Sequence, residues 1–258
     1  MDIPQAIADF IADLERDLTM SFSKQYTADT IHLDGPAADN FALVIYLAHN
    51  RGRIPIDNRR IFHIDQDQIL KNPHKILSRL CSLLGKGQVV YGRQTVVARV
   101  DKGVTIAFLE ENHLQVAIPG KYRYGLFYKG ELMSIAVFSG GRHMRDQAPD
   151  YRSFELVRFC HKAGYRVVGG LSKLLKAFIK DFQPHDIMTY VDRDWAQDSN
   201  LRTLGFEQRE YTAPQHFWVV GQERYYIANS ETLLKLKETY PAGYFSINNG
   251  STKLVLKL

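Results

Sequence analysis

Apolar positions recur at intervals of three and four in several stretches of the chain. Ile3, Ile7, Phe10, Ile11 and Leu14 fall on one side of a helix predicted over residues 4–18. Leu171, Leu174, Leu175, Phe178, Ile179 and Phe182 form a second such stripe, with Lys173, Lys176 and Lys180 on the other side. A helix opening at Asn72-Pro73 carries Ile76, Leu77, Leu80, Leu83 and Leu84, and Gly85 stops it, so it reads as a connector. Residues 104–112 and 231–240 also read as helical. Short β-branched and aromatic runs predict strands at residues 41–48 and 60–64, after a break at Asp34-Gly35-Pro36, and hence a small sheet over residues 30–65. Further strands are predicted at residues 89–99, 154–160, 187–191, 216–220 and 225–228. One hairpin, residues 124–128 with 132–138, turns at Lys129-Gly130, and a terminal one, residues 244–247 with 254–256, turns at Asn249-Gly250. Residues 139–150 read as a polar loop. The alternation predicts an α/β protein on a mixed (α+β) sheet, with a small N-terminal α/β domain over residues 1–85 and a larger domain over 86–258.

Residues 154–206 carry the densest signal: strand, glycine turn, amphipathic helix, strand, then a short helix ending at Gly205-Phe206. At its centre stands Arg166-Val167-Val168-Gly169-Gly170-Leu171-Ser172. A glycine turn opening onto a helix presents backbone N–H groups with no intrahelical partner, and the helix dipole favours an anion there. That arrangement suits a pyrophosphate. Paired glycines before a helix are also ordinary turn punctuation, and the flanking strands are what favour the cradle.

Composition narrows the classes. A chain of 258 residues, 45% hydrophobic and 24% charged, is an ordinary globular sequence long enough for one large or two small domains. No apolar run of membrane-spanning length and no charged-then-apolar start is present, so neither a span nor a secretory signal is expected, and a cytoplasmic location is. Two cysteines, Cys81 and Cys160, lie far apart and suggest reduced thiols, and nine histidines show no ligand spacing, so no metal site is expected. The net charge of +5 permits an anionic partner, coenzyme A or nucleic acid. The densest basic stretch, Arg51-Gly52-Arg53 with Arg59-Arg60, is expected to be a solvated loop.

Arg166, Gly169 and Gly170, followed later by Leu204-Gly205-Phe206, resemble motifs of the GNAT acyltransferase superfamily. Its R/Q-x-x-G-x-G/A segment binds the pyrophosphate of an acyl-coenzyme A, and its L-Y-x-x-x-G-F segment packs near the thiol. Two positions depart: Leu171 stands where the last glycine or alanine is usual, and Leu201 where the tyrosine that often protonates the thiolate is usual. The predicted order β-α-β-β-β-α-β-α-β from Val89 onward is that of the superfamily. The resemblance implies an N-acyltransferase using acetyl-CoA or another acyl-CoA, held by Arg166, Val167, Val168, Gly169, Gly170, Leu171, Ser172 and Asn200, and an amine acceptor.

Acyl transfer requires the amine to lose a proton, the thioester oxygen to be polarised and the leaving thiolate to be protonated. Glu155 opens the strand before the cradle, where such enzymes often place a base. Its apolar neighbours Phe154, Leu156 and Phe159 favour a raised pKa, and an ion pair with Arg158 is the alternative. Tyr190 and Tyr211 are the candidate acids. Asp192, Arg193 and Asp194 follow a strand end and are candidates for substrate contact, or for a solvated loop anchored by Trp195. His113, at a helix end, faces either the acceptor or the helix dipole.

A second resemblance covers more of the chain, from about Ile61 to the C-terminus. Ile61-Phe62-His63-Ile64-Asp65-Gln66-Asp67, Glu110-Glu111-Asn112-His113-Leu114-Gln115, Glu155-Leu156-Val157-Arg158-Phe159-Cys160, Val168-Gly169-Gly170-Leu171-Ser172-Lys173-Leu174 and Tyr190-Val191-Asp192-Arg193-Asp194-Trp195 occur in one order. They are similar to phage and bacterial proteins related to homing endonucleases, in which a nuclease-like domain precedes a GNAT-like one. That resemblance implies a non-catalytic or DNA-directed role as the alternative, the latter as a binding or base-modifying module. The strand at residues 41–46 carries no carboxylate, leaving only Asp34, His49, Asp65 and Asp67 for a metal-dependent nuclease. Residues 1–85 are therefore expected to be a degenerate nuclease-like or unrelated domain.

Overall fold

The computed structural model describes residues 3–48, 52–55, 59–195 and 199–258. In chain order its elements begin with helix α1 (Gln5–Leu18) and strands β1 (Ser23–Tyr26), β2 (Thr30–Asp34), β3 (Phe41–Tyr46) and β4 (Arg60–Asp65). Helices α2 (Gln66–Lys71) and α3 (Pro73–Leu83) follow, then β5 (Gln88–Tyr91), β6 (Val96–Arg99), α4 (Lys102–Asn112), β7 (Tyr122–Tyr128), β8 (Glu131–Phe138) and the two-residue β9 (Arg142–His143). Next come β10 (Arg152–His161), β11 (Tyr165–Val168), α5 (Gly170–Phe182), β12 (Asp186–Asp192), α6 (Ser199–Arg202) and β13 (Glu207–Tyr211). The chain closes with β14 (His216–Val220), β15 (Glu223–Tyr226), α7 (Ser230–Thr239), β16 (Tyr244–Ile247) and β17 (Ser251–Lys257). The fold is mixed α/β.

Two compact units result, and both are discontinuous in sequence. One comprises Met1–Leu77, Val191–Ser199 and Tyr211–Thr252, and the other Ser78–Tyr190, Asn200–Glu210 and Lys253–Leu258. This corrects the single cut expected after residue 85. The sequence offers no signal for the change, because residues 211–252 return to the first unit through long-range contacts rather than through any local break.

The first unit holds a four-stranded sheet, β1-β2-β3-β4, and a three-stranded one, β15-β14-β16. Every residue of β3 is buried, as its unbroken Phe41-Ala42-Leu43-Val44-Ile45-Tyr46 run requires, and β4 lies parallel to it. Helix α1 buries Ile7, Phe10, Ile11, Leu14 and Leu18, one stripe at helical spacing, and ends at Thr19 in the left-handed conformation. The terminal hairpin predicted at Asn249-Gly250 does not form. β16 pairs instead with β14, from His216↔Ile247 to Val219↔Tyr244, and β17 joins the large sheet of the other unit's strands. Thr252 and Leu254, buried at alternate positions of β17, outweigh the local turn signal.

A buried ionic network ties the segments of the first unit together. Arg53 donates to both carboxylate oxygens of Asp65 at 2.7 and 2.9 Å and to Asp194 at 2.7 Å. Arg224, from β15, donates to Asp65 at 2.5 Å and to Asp67 at 2.5 and 2.7 Å. Its three carboxylates are almost wholly buried. Tyr46 accepts the Ile54 N–H at 2.8 Å and lies 2.8 Å from the Nδ1 of His63. Burial holds the His63 pKa down to about 4, so the ring that shares this hydrogen bond with the Tyr46 hydroxyl is neutral. The expectation of a solvated basic loop is thus corrected at Arg53, whose side chain is 4% exposed. Arg51 lies outside the described residues.

Burial by itself would raise both of the paired carboxyl pKa values. At Asp65 two guanidinium groups overcome burial and hold the pKa at about 2, whereas Asp194 has one such partner, feels the charge of Asp65 and is shifted upward. The opposite directions follow from that difference in partners.

The second unit is organised on the sheet order β13-β17-β12-β10-β8-β7-β6, with β9 paired to β10 off that path. Setting β9 and the small β5/β11 pair aside, its elements follow the order β-α-β-β-β-α-β-α-β from β6 to β13. Lys129 and Gly130, with φ of 52° and 83°, make the two-residue turn of the β7/β8 hairpin. Helix α5 packs on one sheet face through Phe178, stacked 3.8 Å from Phe138 and edge-on to Phe154 at 5.2 Å. On the other face Phe108 and Leu109 of α4 cover Ile135, Val137 and Cys160.

The strand expected over residues 89–99 is broken in two by a 3₁₀ turn at Gly92–Gln94. A Cβ on Gly92 would lie 3.1 Å from the Val168 carbonyl oxygen and 3.2 Å from the Gly169 backbone, so a close approach fixes the turn there. β5 then pairs parallel with β11, and β6 antiparallel with β7. β13, Glu-Gln-Arg-Glu-Tyr in sequence and mostly exposed, was not anticipated because a charged edge strand shows no apolar alternation.

Two outcomes test these features. Phe178→Ala should cost about 3–5 kcal/mol, read as a lower urea midpoint, because it empties the centre of the aromatic layer. Asp65→Asn should cost roughly 3–5 kcal/mol at neutral pH by leaving buried guanidinium charge unpaired. The folded pKa of Asp65 lies below its ordinary 3.8, so its contribution is complete above that value and lost as pH falls through about 2. The stability gap between wild type and Asp65→Asn should therefore narrow over that interval in urea titrations at stepped pH.

Candidate functional site

β10 and β12 run parallel but stay together only at their starts. Their ladder covers Ser153↔Asp186, Phe154↔Ile187 and Glu155↔Met188. Asp186 fastens this end, accepting from the Tyr151 hydroxyl at 2.8 Å and the Ser153 hydroxyl at 2.5 Å. Arg152 and His185 add two more bonds: the Arg152 N–H to His185 Nδ1 and the His185 N–H to the Arg152 carbonyl, each 3.0 Å. The Thr189 hydroxyl, donating to the Leu156 carbonyl at 2.9 Å, is the next link. The register of β10 against β8 then shifts between Leu156 and Arg158, a bulge that bends the strand. Past that point β10 continues its pairing with β8 to His161, and its ladder with β12 has ended.

After β10 the chain turns at Gly164, runs through β11 and enters α5. Gly169 takes a φ of +74°, the left-handed conformation that favours glycine, and is the residue before the helix. A Cβ on Gly169 would meet nothing within 4 Å, so the space before the turn is open, whereas a Cβ on Gly170 would lie 3.0 Å from the Leu126 and Val167 side chains. The first intrahelical bond runs from the Lys173 N–H to the Gly169 carbonyl at 3.1 Å. Gly170, Leu171 and Ser172 therefore supply the N–H groups ahead of that bond. Lys173 turns its ammonium to the carbonyls of Gly92, at 2.9 Å, and Thr95. Arg166 donates to the Gly85 carbonyl at 2.8 Å. Main-chain N–H groups thus stand at this helix end, and one guanidinium nitrogen of Arg166 is bonded to a carbonyl.

Among the other predicted residues, Glu155 is half-buried, with its N–H on the Ser139 hydroxyl at 2.9 Å. Arg158 donates to the Val116 and Val157 carbonyls at 3.2 and 2.7 Å and also feels the charge of Glu155. Register partners of a sheet share a face and side chains alternate along a strand, so Glu155, Met188 and the exposed Tyr190 lie on one face. Asn200 sits in the exposed first turn of α6, its carbonyl accepting from Thr203 at 2.8 Å.

His113 is buried at the end of α4, where its Nδ1 accepts the Gln115 N–H at 3.0 Å. Asp192, Arg193, Asp194 and Tyr211 belong to the first unit. There Asp192 accepts the Asp194 N–H at 3.0 Å, Arg193 donates to the Asn249 carbonyl at 2.9 Å and its guanidinium lies 4.5 Å from the Tyr211 ring centre. Asp194 is spent on Arg53, which corrects its assignment to a substrate-facing loop. Local sequence gave no sign of this, since Arg53 is 141 residues away. The feature missed altogether is Asp186 with Tyr151 and Ser153, and an Asp opening a strand was the available signal.

No family model matches the chain, and no curated protein matches it. Solved structures similar to it include a GNAT family acetyltransferase from Elizabethkingia anophelis with acetyl-CoA bound, at 12% identity and TM-score 0.37, covering 64% of this chain and 99% of that one. An acetyltransferase from Bacillus subtilis in complex with CoA is similar at 15% identity and TM-score 0.37, covering 64% and 99%. FeeM, an N-acyl amino acid synthase from uncultured soil microbes, is similar at 12% identity and TM-score 0.33, covering 74% of this chain and 90% of its own. Scores this low carry no functional conclusion.

Proposed function

We propose that the second unit binds an acyl-coenzyme A and transfers its acyl group to an amine. The observation that carries this reading is the end of the β10/β12 ladder after Glu155 and Met188, with the glycine-opened helix α5 joining the two strands along the chain. A strand edge released from its neighbour offers N–H and carbonyl groups to an extended amide-bearing chain, and the pantetheine arm is such a chain. The helix N-terminus suits the pyrophosphate at the other end of that arm. The chain order of the sheet elements, the order expected of a GNAT-like fold, supports the same reading.

In the reaction the amine nitrogen bonds to the thioester carbonyl carbon, the carbon–sulfur bond breaks, and coenzyme A leaves as thiolate. Glu155 is the proposed acceptor of the amine proton and Tyr190, on the same face, the proposed donor to sulfur. Tyr211, the last residue of β13, is the second proposed donor. A cytoplasmic setting, where acyl-CoA is available, goes with the reading. The DNA-directed alternative survives as a choice of acceptor, the amine of a nucleobase. Metal-dependent cleavage forms no part of it, since Asp65 and Asp67 are already paired with Arg53 and Arg224. His49 lies outside the described residues.

Acetyl-CoA at about a hundred times its dissociation constant should stabilise the protein by about 2.7 kcal/mol, with desulfo-CoA as the unreactive control. Gly169→Val should abolish the thermal shift, and an unshifted wild-type protein would remove the reading. Glu155→Gln should keep the shift but lower kcat by roughly 10²–10⁴-fold in an assay of thiol release with an amine panel.

A further inference from the structure

The small parallel pair β5/β11 has one buried and one outward face. Val90 and Val167 are buried, whereas Val89, Tyr91 and Val168 are 46%, 47% and 45% exposed. Register sets Val89 beside Arg166 and Tyr91 beside Val168, so these four side chains share the outward face. Leaving a phenol ring and two valines together in water forgoes the stabilisation that burial would give, and grouped exposure of this kind marks a contact surface.

The face runs up to the opening of α5. Gly92, next to Tyr91, touches the backbone of Val168 and Gly169, and the space before Gly169 is open. Arg93, exposed, holds its guanidinium 5.1 Å from the Tyr91 ring centre. An aromatic platform, an apolar wall and a cation therefore stand beside the main-chain N–H groups of Gly170, Leu171 and Ser172.

We propose that this face seats the nucleotide end of coenzyme A, with adenine stacked on Tyr91 against Val168 and Arg93 meeting the 3′-phosphate of the ribose. The inference rests on the acyl-coenzyme A reading and deepens it. In coenzyme A the nucleoside is joined directly to the pyrophosphate, so a cradle at Gly169–Ser172 leaves the base within a ribose's reach of the adjoining surface. The ring supplies a π-face for the base, and guanidinium is the side chain best matched to a phosphate. A base with phosphates is also the repeating chemistry of a nucleic-acid strand. Surfaces that follow a strand place successive aromatic rings along a basic groove. Here one exposed ring and its arginine suit a single nucleotide.

The test titrates the full chain and its Tyr91→Ala and Arg93→Ala variants with coenzyme A, dephospho-coenzyme A, pantetheine and a single-stranded oligodeoxynucleotide. Both side chains are exposed, and unliganded melting curves matching wild type establish that the variants fold. Tyr91→Ala should weaken coenzyme A about tenfold or more, since a base–aromatic stack contributes that much to binding, and leave pantetheine unchanged. Arg93→Ala should weaken coenzyme A to the level of dephospho-coenzyme A and leave the latter unaffected. Wild-type affinity for coenzyme A in Tyr91→Ala would overturn the platform and leave the cradle standing. A wild-type protein that binds no coenzyme A would overturn the acyl-transfer reading and the platform together. Oligodeoxynucleotide binding tighter than that of coenzyme A and dependent on Tyr91 would overturn the choice of occupant.

Discussion

Asp186 fastens two parallel strands at one end, and the candidate site depends on that fastening. Its two oxygens accept hydroxyl protons from Tyr151 and Ser153, so the start of β12 is held to the start of β10 by side chains as well as by the ladder. Such bonds to a charged acceptor are stronger than neutral ones. With one end pinned and the bulge after Leu156 bending β10, the strands can part further along without losing their registration. Were the pairing continuous, the strand edge would be consumed and no extended ligand could lie against it.

The first unit solves a different problem. Its sheet strands and its distant segments meet at charges removed from water, where desolvation opposes ionisation and only multiple partners offset it. Asp65 has two guanidinium partners and stays ionised to about pH 2, while Asp194 with one partner is shifted the other way. Such a network adds little net stability compared with well-packed apolar residues. It does penalise any arrangement that leaves one member unpaired, and so it selects the pairing of residues 53, 65–67, 194 and 224 over alternatives.

Much of the fold was legible in the chain because its signals are local. The stripe in α1, the stripe in α5, the Lys129-Gly130 turn and the unbroken apolar run of β3 each depend on a few neighbouring residues, and each forms. The glycine turn at Gly169 was legible for the same reason, since positive φ is a property of one residue. The misreadings fall where a distant partner decides. Asn249-Gly250 carries a hairpin signal, yet the strands on either side of it join different sheets. The run at residues 89–99 looks continuous, yet contact with Gly169 breaks it at Gly92. Arg53 looks like a solvated loop residue and is buried on Asp65 and Asp194.

The sequence by itself determined the mixed α/β class, most elements, the order of the strands along the chain and the glycine-opened helix. Those follow from the periods of helix and strand and from backbone freedom at single residues. Tertiary structure alone decided which residues share a unit, where β10 and β12 part, which carboxylates are spent on guanidinium groups, and which valines remain exposed beside Tyr91. Each of these turns on desolvation or on pairing between residues far apart in the chain, and neither leaves a mark on the local pattern.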